Sequence, residues 1–460
     1  MEFPMYEDYA DETAELDYSD YSEPSDHLGG VAYSLQDVWN DCCLPSLEIF
    51  KTLYPIFAAC FGVYLLRILF QCINRPVWLH FGAAAAGIFT AHHIQGDRFW
   101  ILTASGIAGW LLLRITRTSA ARNFTGVLVA VSSVLYILSL ETFFLHPATA
   151  NALRGSQMIF LMKLISLAFS ESVVDLNFAE YSGFIFFPGT VIFGPWIPLD
   201  IYRRWSSANG IPTLSTVVRM LKQFGIALAA SAACLLVSNC LLDWLIGGFH
   251  GRWIQAFRVA ASFRFSHYFV GYVSEATLAA TGVPYTSVTK PWKIELPRSL
   301  VEVVAYWSIP MRNWLREFVF LKARLVFSVS VALILTYSAS SLLHGVNFQL
   351  SAVLLTLAVG TYVENELRRK LAVAFDACIE ARACRNCSHR HTSGHVFVVL
   401  ANLAFGGLAM FHLAYLGDMF DSSASAEKGY NYQHTLTKWS QLDFAGHYTI
   451  AVTFLFQWLI

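Results

Sequence analysis

The residues Tyr337-Ser338-Ala339-Ser340-Ser341-Leu342-Leu343-His344-Gly345 close an otherwise apolar run. Tyr337, Ser341 and His344 recur at spacings of four and three, which puts them on one helix face, with Ser338 beside it. A polar stripe inside a spanning helix faces the protein interior or a water-filled cavity. Neutral imidazole is the side chain best suited to take a hydroxyl proton near pH 7. Gly345 ends the helix and leaves room for backbone or substrate near the ring. The competing reading makes His344 a helix cap held by Ser341, and for a histidine in a membrane helix the two readings weigh about equally.

A second constellation is Cys384-x-x-Cys387-x-His389-x-His391, with Cys378 and His395 nearby. Four soft or borderline ligands at such spacing suit tetrahedral zinc. Juxtamembrane cysteines are also S-acylation targets, and a plain loop is the third reading, so no metal is assigned. His267 and His412 read as structural histidines, with cavity lining as the alternative for His267. Glu275 shares a crossing with His267 and is expected to be neutral or paired. Lys163 and Glu302 either pair or mark a cavity.

The elements that must hold these groups are membrane helices. Of 460 residues, 56% are hydrophobic and only 14% charged, with mean hydropathy +0.49. A soluble chain needs about 25% charged residues. The net charge of −1 excludes a nucleic-acid binder. Apolar runs predict eleven crossings, at 54–70, 77–92, 99–113, 125–146, 182–198, 224–248, 263–283, 325–344, 347–363, 395–417 and 446–460. The run 157–170 carries Lys163 and is expected to be re-entrant or interfacial. The fold class is therefore an all-α polytopic membrane protein with about eleven crossings plus re-entrant and interfacial helices.

Basic residues gather on the cytoplasmic side of membranes. Arg75, Arg114, Arg117, Arg122, Arg203, Arg204, Arg219 and Lys222 fall on one side of this scheme. Lys290, Lys293, Arg298, Arg312, Arg316, Arg368, Arg369, Lys370 and Arg382 join them. This predicts a luminal N-terminus and a cytoplasmic C-terminus. The exception is 249–264, with Arg252, Arg258 and Arg264, expected to be an amphipathic interfacial segment. Residues 1–48 form a separate unit. From Glu2 to Asp26 there are ten carboxylates and no Lys or Arg, the composition of a disordered acidic tail. No signal peptide precedes it, and residues 49–460 form the membrane domain. The sequons at Asn123 and Asn386 fall on the cytoplasmic side and are expected to be unmodified. Among nine cysteines no regular disulfide framework is visible. Cys60, Cys72, Cys234 and Cys240 are expected to pack as small hydrophobes, whereas Cys42 and Cys43, being adjacent, can bridge only elsewhere.

Leu342-Leu343-His344-Gly345, preceded by Trp307-Ser308-Ile309-Pro310-Met311-x-x-Trp314, resembles the membrane-bound O-acyltransferase family. There a helix-borne histidine pairs with an upstream Trp-Asn-x-Pro block. Within the family, further blocks are similar to members that acylate a serine of secreted Wnt proteins. They are Lys290 to Val304, Phe265 to Ala276, Val191 to Ile197 and Ala409 to Gly417. The resemblance runs from about residue 50 to the end. It implies an endoplasmic reticulum enzyme with no tightly bound cofactor. Palmitoleoyl-CoA would be the donor, entering from the cytosol, and a Wnt serine the acceptor, approaching from the lumen. His344 would be the base. Trp307, Ser308, Tyr337, Ser338 and Ser341 would line the substrates, and Arg298, Arg312, Lys290 and Arg316 would meet the CoA phosphates. Ser308 departs from the usual family Asn and offers one hydroxyl in place of an amide. The alternatives are a relative acting on a lipid or sterol alcohol, and a transporter or scramblase.

Overall fold

The computed structural model describes residues 36, 39–73, 75–118, 124–170, 175–208, 210–284, 287–345, 347–384, 388–421 and 432–460. Most of the acidic tail, the sequon residues Asn123 and Asn386, and Cys387 lie outside them. Among the described residues no strand forms, and helices account for the crossings. They are α1 (Leu44–Cys72), α2 (Pro76–Gln95), α3 (Phe99–Thr118), α4 (Thr125–Ser139), α5 (Pro147–Phe169), α6 (Phe178–Ile185), α7 (Leu199–Ser207), α8 (Leu214–Leu236), α9 (Arg252–Ala280), α10 (Leu300–Trp307), α11 (Ile309–Trp314), α12 (Val329–Leu343), α13 (Phe348–Ala374), α14 (Val396–Gly417) and α15 (Ala445–Leu459).

Six helical runs among the described residues are long and apolar enough to cross a bilayer: Trp39–Cys72, Pro76–Thr118, Thr125–Phe144, Thr149–Phe169, Leu214–Ile246 and Val396–Gly417. Pro76–Thr118 holds α2 and α3, joined at Gly96–Arg98. α9 and α13 are long enough but carry buried charge, Arg264 and Glu275 in one and Glu364 and Arg368 in the other.

The expected re-entrant run and one expected crossing exchange roles. Residues 157–170 belong to α5, a helix of 23 residues. At 1.5 Å per residue it spans about 34 Å. Of its most apolar stretch 72% is buried, against 17% for Thr125–Phe144. The expected crossing 182–198 is no continuous helix. α6 has only eight residues, and 186–198 are irregular up to α7. Eight residues reach about 12 Å, well short of a ~30 Å hydrocarbon core. Pro188 and Pro195 remove backbone donors and stop the helix. The exchange keeps the parity of crossings, so the charge-side assignment is unchanged.

The cause is Lys163. Its Nζ is fully buried and donates to Phe184 O (2.8 Å), Ile185 O (3.0 Å) and Thr190 Oγ1 (2.7 Å). Two of these acceptors are carbonyls in the last turn of α6, where the helix's own N–H donors run out. The amine therefore marks the core. Thr277 Oγ1 donates to Gly189 O (3.1 Å) and Trp205 Nε1 to Thr281 O (2.8 Å), fixing the irregular segment against α9. A Cβ on Gly87 of α2 would overlap the Phe186 carbonyl, so α2 approaches the same segment backbone to backbone.

The expected interfacial segment 249–264 is instead the first half of α9, and its arginines are paired. Arg252 bonds Asp443 (2.5 Å), and Arg258 bonds Asp243. Arg264, 2% exposed, binds Glu295 through two nitrogens at 2.8 and 2.9 Å. Each of these arginines has a carboxylate partner, with the Arg264 side chain buried and that of Arg252 exposed. Cys60 and Cys234 are buried and free, and Cys72 is exposed. Cys240, expected to pack as a small hydrophobe, is bonded to Cys42, 198 positions earlier.

Candidate active site

His344 occupies the C-cap of α12. Gly345, at φ +85°, turns the chain towards α13, whose first turn is capped by Asn347 Oδ1 accepting from the Leu350 N–H (3.1 Å). A Cβ at Gly345 would collide with the Glu141 carboxylate, so this acid sits directly against the turn. Glu141 pairs with Arg154 at 3.3 Å, and both side chains are largely buried. His344 is half-buried, and its ring makes no hydrogen bond with any described residue. Arg154 and His267 are the ionisable groups within its electrostatic reach. Ser341 holds His344 through its backbone carbonyl, which accepts from the His344 N–H at 3.1 Å, and not through its side chain. Its hydroxyl bonds Ser351 of α13 at 2.5 Å, tying the two helices together. Tyr337 and Ser338 are half-buried, both about two turns back along α12.

The second wall is the Trp307-Ser308 break. α10 begins with a capping serine: Ser299 Oγ accepts from the Glu302 N–H at 3.1 Å, and the Glu302 carboxylate accepts from the Arg298 N–H at 3.3 Å. Ser308 separates α10 from α11 in extended conformation, with Pro310 in the first turn that follows. The Trp314 Nε1–H donates to Met162 O (2.9 Å), next to Lys163, which pins α11 to the central helix. His267 stacks on Trp307 at 4.5 Å and 17°, and its Nε2 lies 3.0 Å from the Trp307 carbonyl. The structure therefore joins His267 to the Trp307-Ser308 block, and His267 lies within electrostatic reach of His344. Ser308 is half-buried and gives no side-chain cap to α11.

The expected phosphate-binding cations divide. Arg316 is exposed, and Lys290 Nζ lies 5.4 Å above the Tyr306 ring. Arg312 donates to Ala305 O (2.9 Å) and Asn313 Oδ1 (3.0 Å). Arg298 lies elsewhere, bonded to Glu380 O (3.0 Å) and Cys378 O (2.7 Å). Beside it Arg368, fully buried, pairs with Glu364 at 3.4 Å. It also donates to Ile379 O, Arg298 O, Glu380 O and Asn402 Oδ1. Glu364 accepts from the Leu300 N–H (2.9 Å), which fixes the start of α10.

Lys163 and Glu302 do not pair, because Glu302 binds Lys293 at 3.4 Å. Glu275 accepts from the Val288 N–H at 2.7 Å. Cys384 and His389 of the proposed metal set come together with Cys378, while His391 packs its ring on His395 at 4.6 Å. Sequence reasoning missed Glu141 and Arg154. The only signal for them was two opposite charges flanking the Pro147 turn.

The family model of the membrane-bound O-acyltransferases matches residues 108–375, more than half of the chain. This chain belongs to the membrane-bound O-acyltransferase family and is an acyltransferase, which removes the transporter reading. It is 36% identical to the protein-serine O-palmitoleoyltransferase porcupine of Mus musculus, over 92% of this chain and 98% of that protein. The human protein of the same name gives the same identity and coverage. That of Anopheles gambiae is 32% identical over 93% of this chain and 94% of its own length.

Proposed function

We propose that the chain transfers a palmitoleoyl group from palmitoleoyl-CoA to a serine hydroxyl of a Wnt protein, with His344 as general base. The observation that carries this reading is the unengaged ring of His344 at the end of α12, with His267 among the ionisable groups within its electrostatic reach. The near full-length similarity to protein-serine O-palmitoleoyltransferases supports the choice of acyl group and acceptor.

In this mechanism the serine Oγ attacks the thioester carbonyl carbon as a ring nitrogen of His344 takes its proton. The tetrahedral intermediate collapses, the C–S bond breaks, and CoA leaves as thiolate. Negative charge on the thioester oxygen needs donors, and Tyr337, Ser338 and Ser308 are the candidates to supply them. Ser341 is committed to Ser351 and acts by holding α12 to α13. Arg316, Lys290 and Arg312 meet the CoA phosphates, and Trp307 packs along the substrate. Arg298 is bonded to two carbonyls and contributes by positioning the 376–384 loop.

The orientation goes with this reading: N-terminus and His344 on the luminal side, cations and C-terminus on the cytoplasmic side, in the endoplasmic reticulum. The Cys42–Cys240 disulfide supports it, since the predicted crossings put Cys42 on the luminal side and Cys240 in the luminal half of 224–248, and disulfides persist on that side.

The test is acceptor choice. Purified protein in detergent is given palmitoleoyl-CoA with a Wnt-derived serine hairpin peptide, the same peptide with Ala for Ser, and a sterol or lysophospholipid alcohol. Ester formed only on the serine peptide is expected. Ester on the lipid alcohol with none on the peptide would move the acceptor to a lipid and overturn the reading.

A further inference from the structure

The end of α1 meets the end of α7, the start of α8 and the turn after α9 around a cavity of about 230 Å³. Tyr64, Arg67, Ile211, Pro212, Thr216 and Gly282 are among the residues that line it. Arg67 lies five residues before the end of α1, roughly 8 Å along the helix axis. Its side chain is 8% exposed and that of Tyr64 5%. A guanidinium carries five N–H donors. Among the described residues this one makes a single hydrogen bond, from Nη1 to Trp205 O at 3.3 Å. Arg67 Nε and the Tyr64 hydroxyl are both buried without a hydrogen-bond partner. The guanidinium carbon lies 5.3 Å from the centroid of the Tyr64 ring. Tyr64, and no carboxylate, is the ionisable group that acts on its charge. A Cβ on Gly282, at φ +74°, would overlap the Tyr64 ring, so the turn after α9 packs directly on it.

We propose that Arg67, with the Tyr64 hydroxyl and the first turn of α8, binds a phosphate-bearing anion in this cavity, either a phospholipid headgroup or a soluble phosphate. A buried guanidinium with one neutral acceptor is costly, and an anion supplies the missing charge and acceptors together. Arg67 matches phosphate oxygens by geometry as well as by charge. Thr216 brings the first turn of the 23-residue helix α8 to the cavity, and a helix N-terminus favours negative charge. The segments that form the walls, 60–79, 205–223 and 276–289, contain Arg67, Arg75, Arg219 and Lys222 and no Asp or Glu. In the orientation proposed above the cavity opens at the cytoplasmic headgroup level, where basic pockets between helices take anionic headgroups. The leaflet rests on that orientation, whereas the phosphate chemistry does not. The bound anion would join α1 to α8 across the cavity.

The test uses full-length protein, delipidated in detergent, with melting temperature and retention of ligand in native mass spectrometry as readouts. The probes are phosphatidylinositol, inorganic phosphate, and diacylglycerol as a lipid without phosphate. Phosphatidylinositol should raise the melting temperature saturably and diacylglycerol should not. Arg67→Gln should weaken the response roughly tenfold or more, since a bond to a charged group is lost. Thr216→Glu places a carboxylate at an exposed position on the cavity and should abolish the response. It decides the matter where Arg67→Gln fails to fold. A response to phosphatidylinositol alone makes the ligand a lipid headgroup, and an equal response to inorganic phosphate, lost in the same variants, makes it a soluble phosphate. No response of folded wild type to either anion would overturn the proposal. So would an undiminished response in both variants, which is what binding at Arg312 and Arg316 would give, or an equal effect of diacylglycerol. None of these readouts uses acyl transfer, so failure here is separable from failure of the enzymatic reading.

Discussion

Around Lys163 and Arg368 buried polar groups are saturated with partners, whereas at the end of α12 one is left unengaged. Lys163 has three neutral oxygens, and Arg368 a carboxylate, three carbonyls and an amide oxygen. Buried cations so engaged fix geometry, since each partner is lost if the segment moves. His344 is held only by its backbone, the Gly345 turn and the Glu141–Arg154 pair behind it. A buried polar group costs free energy unless bonded. A ring kept open amid this saturation is a site for an incoming hydroxyl. The contrast holds between these places; elsewhere among the described residues buried polar atoms such as His412 Nδ1 and Gln157 Nε2 also lack a partner, so satisfaction alone does not mark the chemistry.

The sharpest way to break this comparison is at the scaffold. Arg368→Ala leaves Glu364 buried without its cation, and it should destabilise the protein by about 3–5 kcal/mol, read as a collapse of the detergent melting temperature. Unchanged melting would mean the hub fixes nothing. Lys163→Met keeps the apolar stem and strips Phe184 O, Ile185 O and Thr190 of their donor, for a loss of about 2–3 kcal/mol. Protease sensitivity should rise first in 186–198, and a uniform rise along the chain would contradict the assigned role. Gly345→Ala puts a side chain at φ +85° and against Glu141, costing about 2 kcal/mol. Transfer should fall with it, and a variant with normal stability and normal transfer would show the turn to be unimportant. His267→Phe keeps a ring on Trp307 but loses the bond to its carbonyl, about 1 kcal/mol. Transfer should fall less than tenfold, and a loss as large as that of the base would make His267 part of the chemistry.

Much of this was legible in the sequence, for physical reasons that also say where legibility ends. Hydropathy gives crossings because backbone in lipid must bond within its own segment. The His344 helix was readable because its stripe repeats at helical spacing over seven residues. The exchange between 157–170 and 182–198 was not, because apolar length does not show whether a run stays helical. Lys163 looked interfacial since its acceptors lie 21 to 27 positions later. His267 meets Trp307 across 40 positions, and Arg264 meets Glu295 across 31. Pairings at such range belong to the packed fold. Pro188, Pro195 and the small residues between them were the local sign that 182–198 would not be straight.

The central claim is that His344 is the base, and single-turnover transfer tests it most directly. Wild type and His344→Ala, matched for folded protein and for bound palmitoleoyl-CoA, would be mixed with the serine hairpin peptide. Loss of a general base predicts a fall of roughly 10²–10⁴-fold in the transfer step, with donor binding and melting temperature little changed. Transfer within a few-fold of wild type would take His344 out of the mechanism, although the family and the fold would stand.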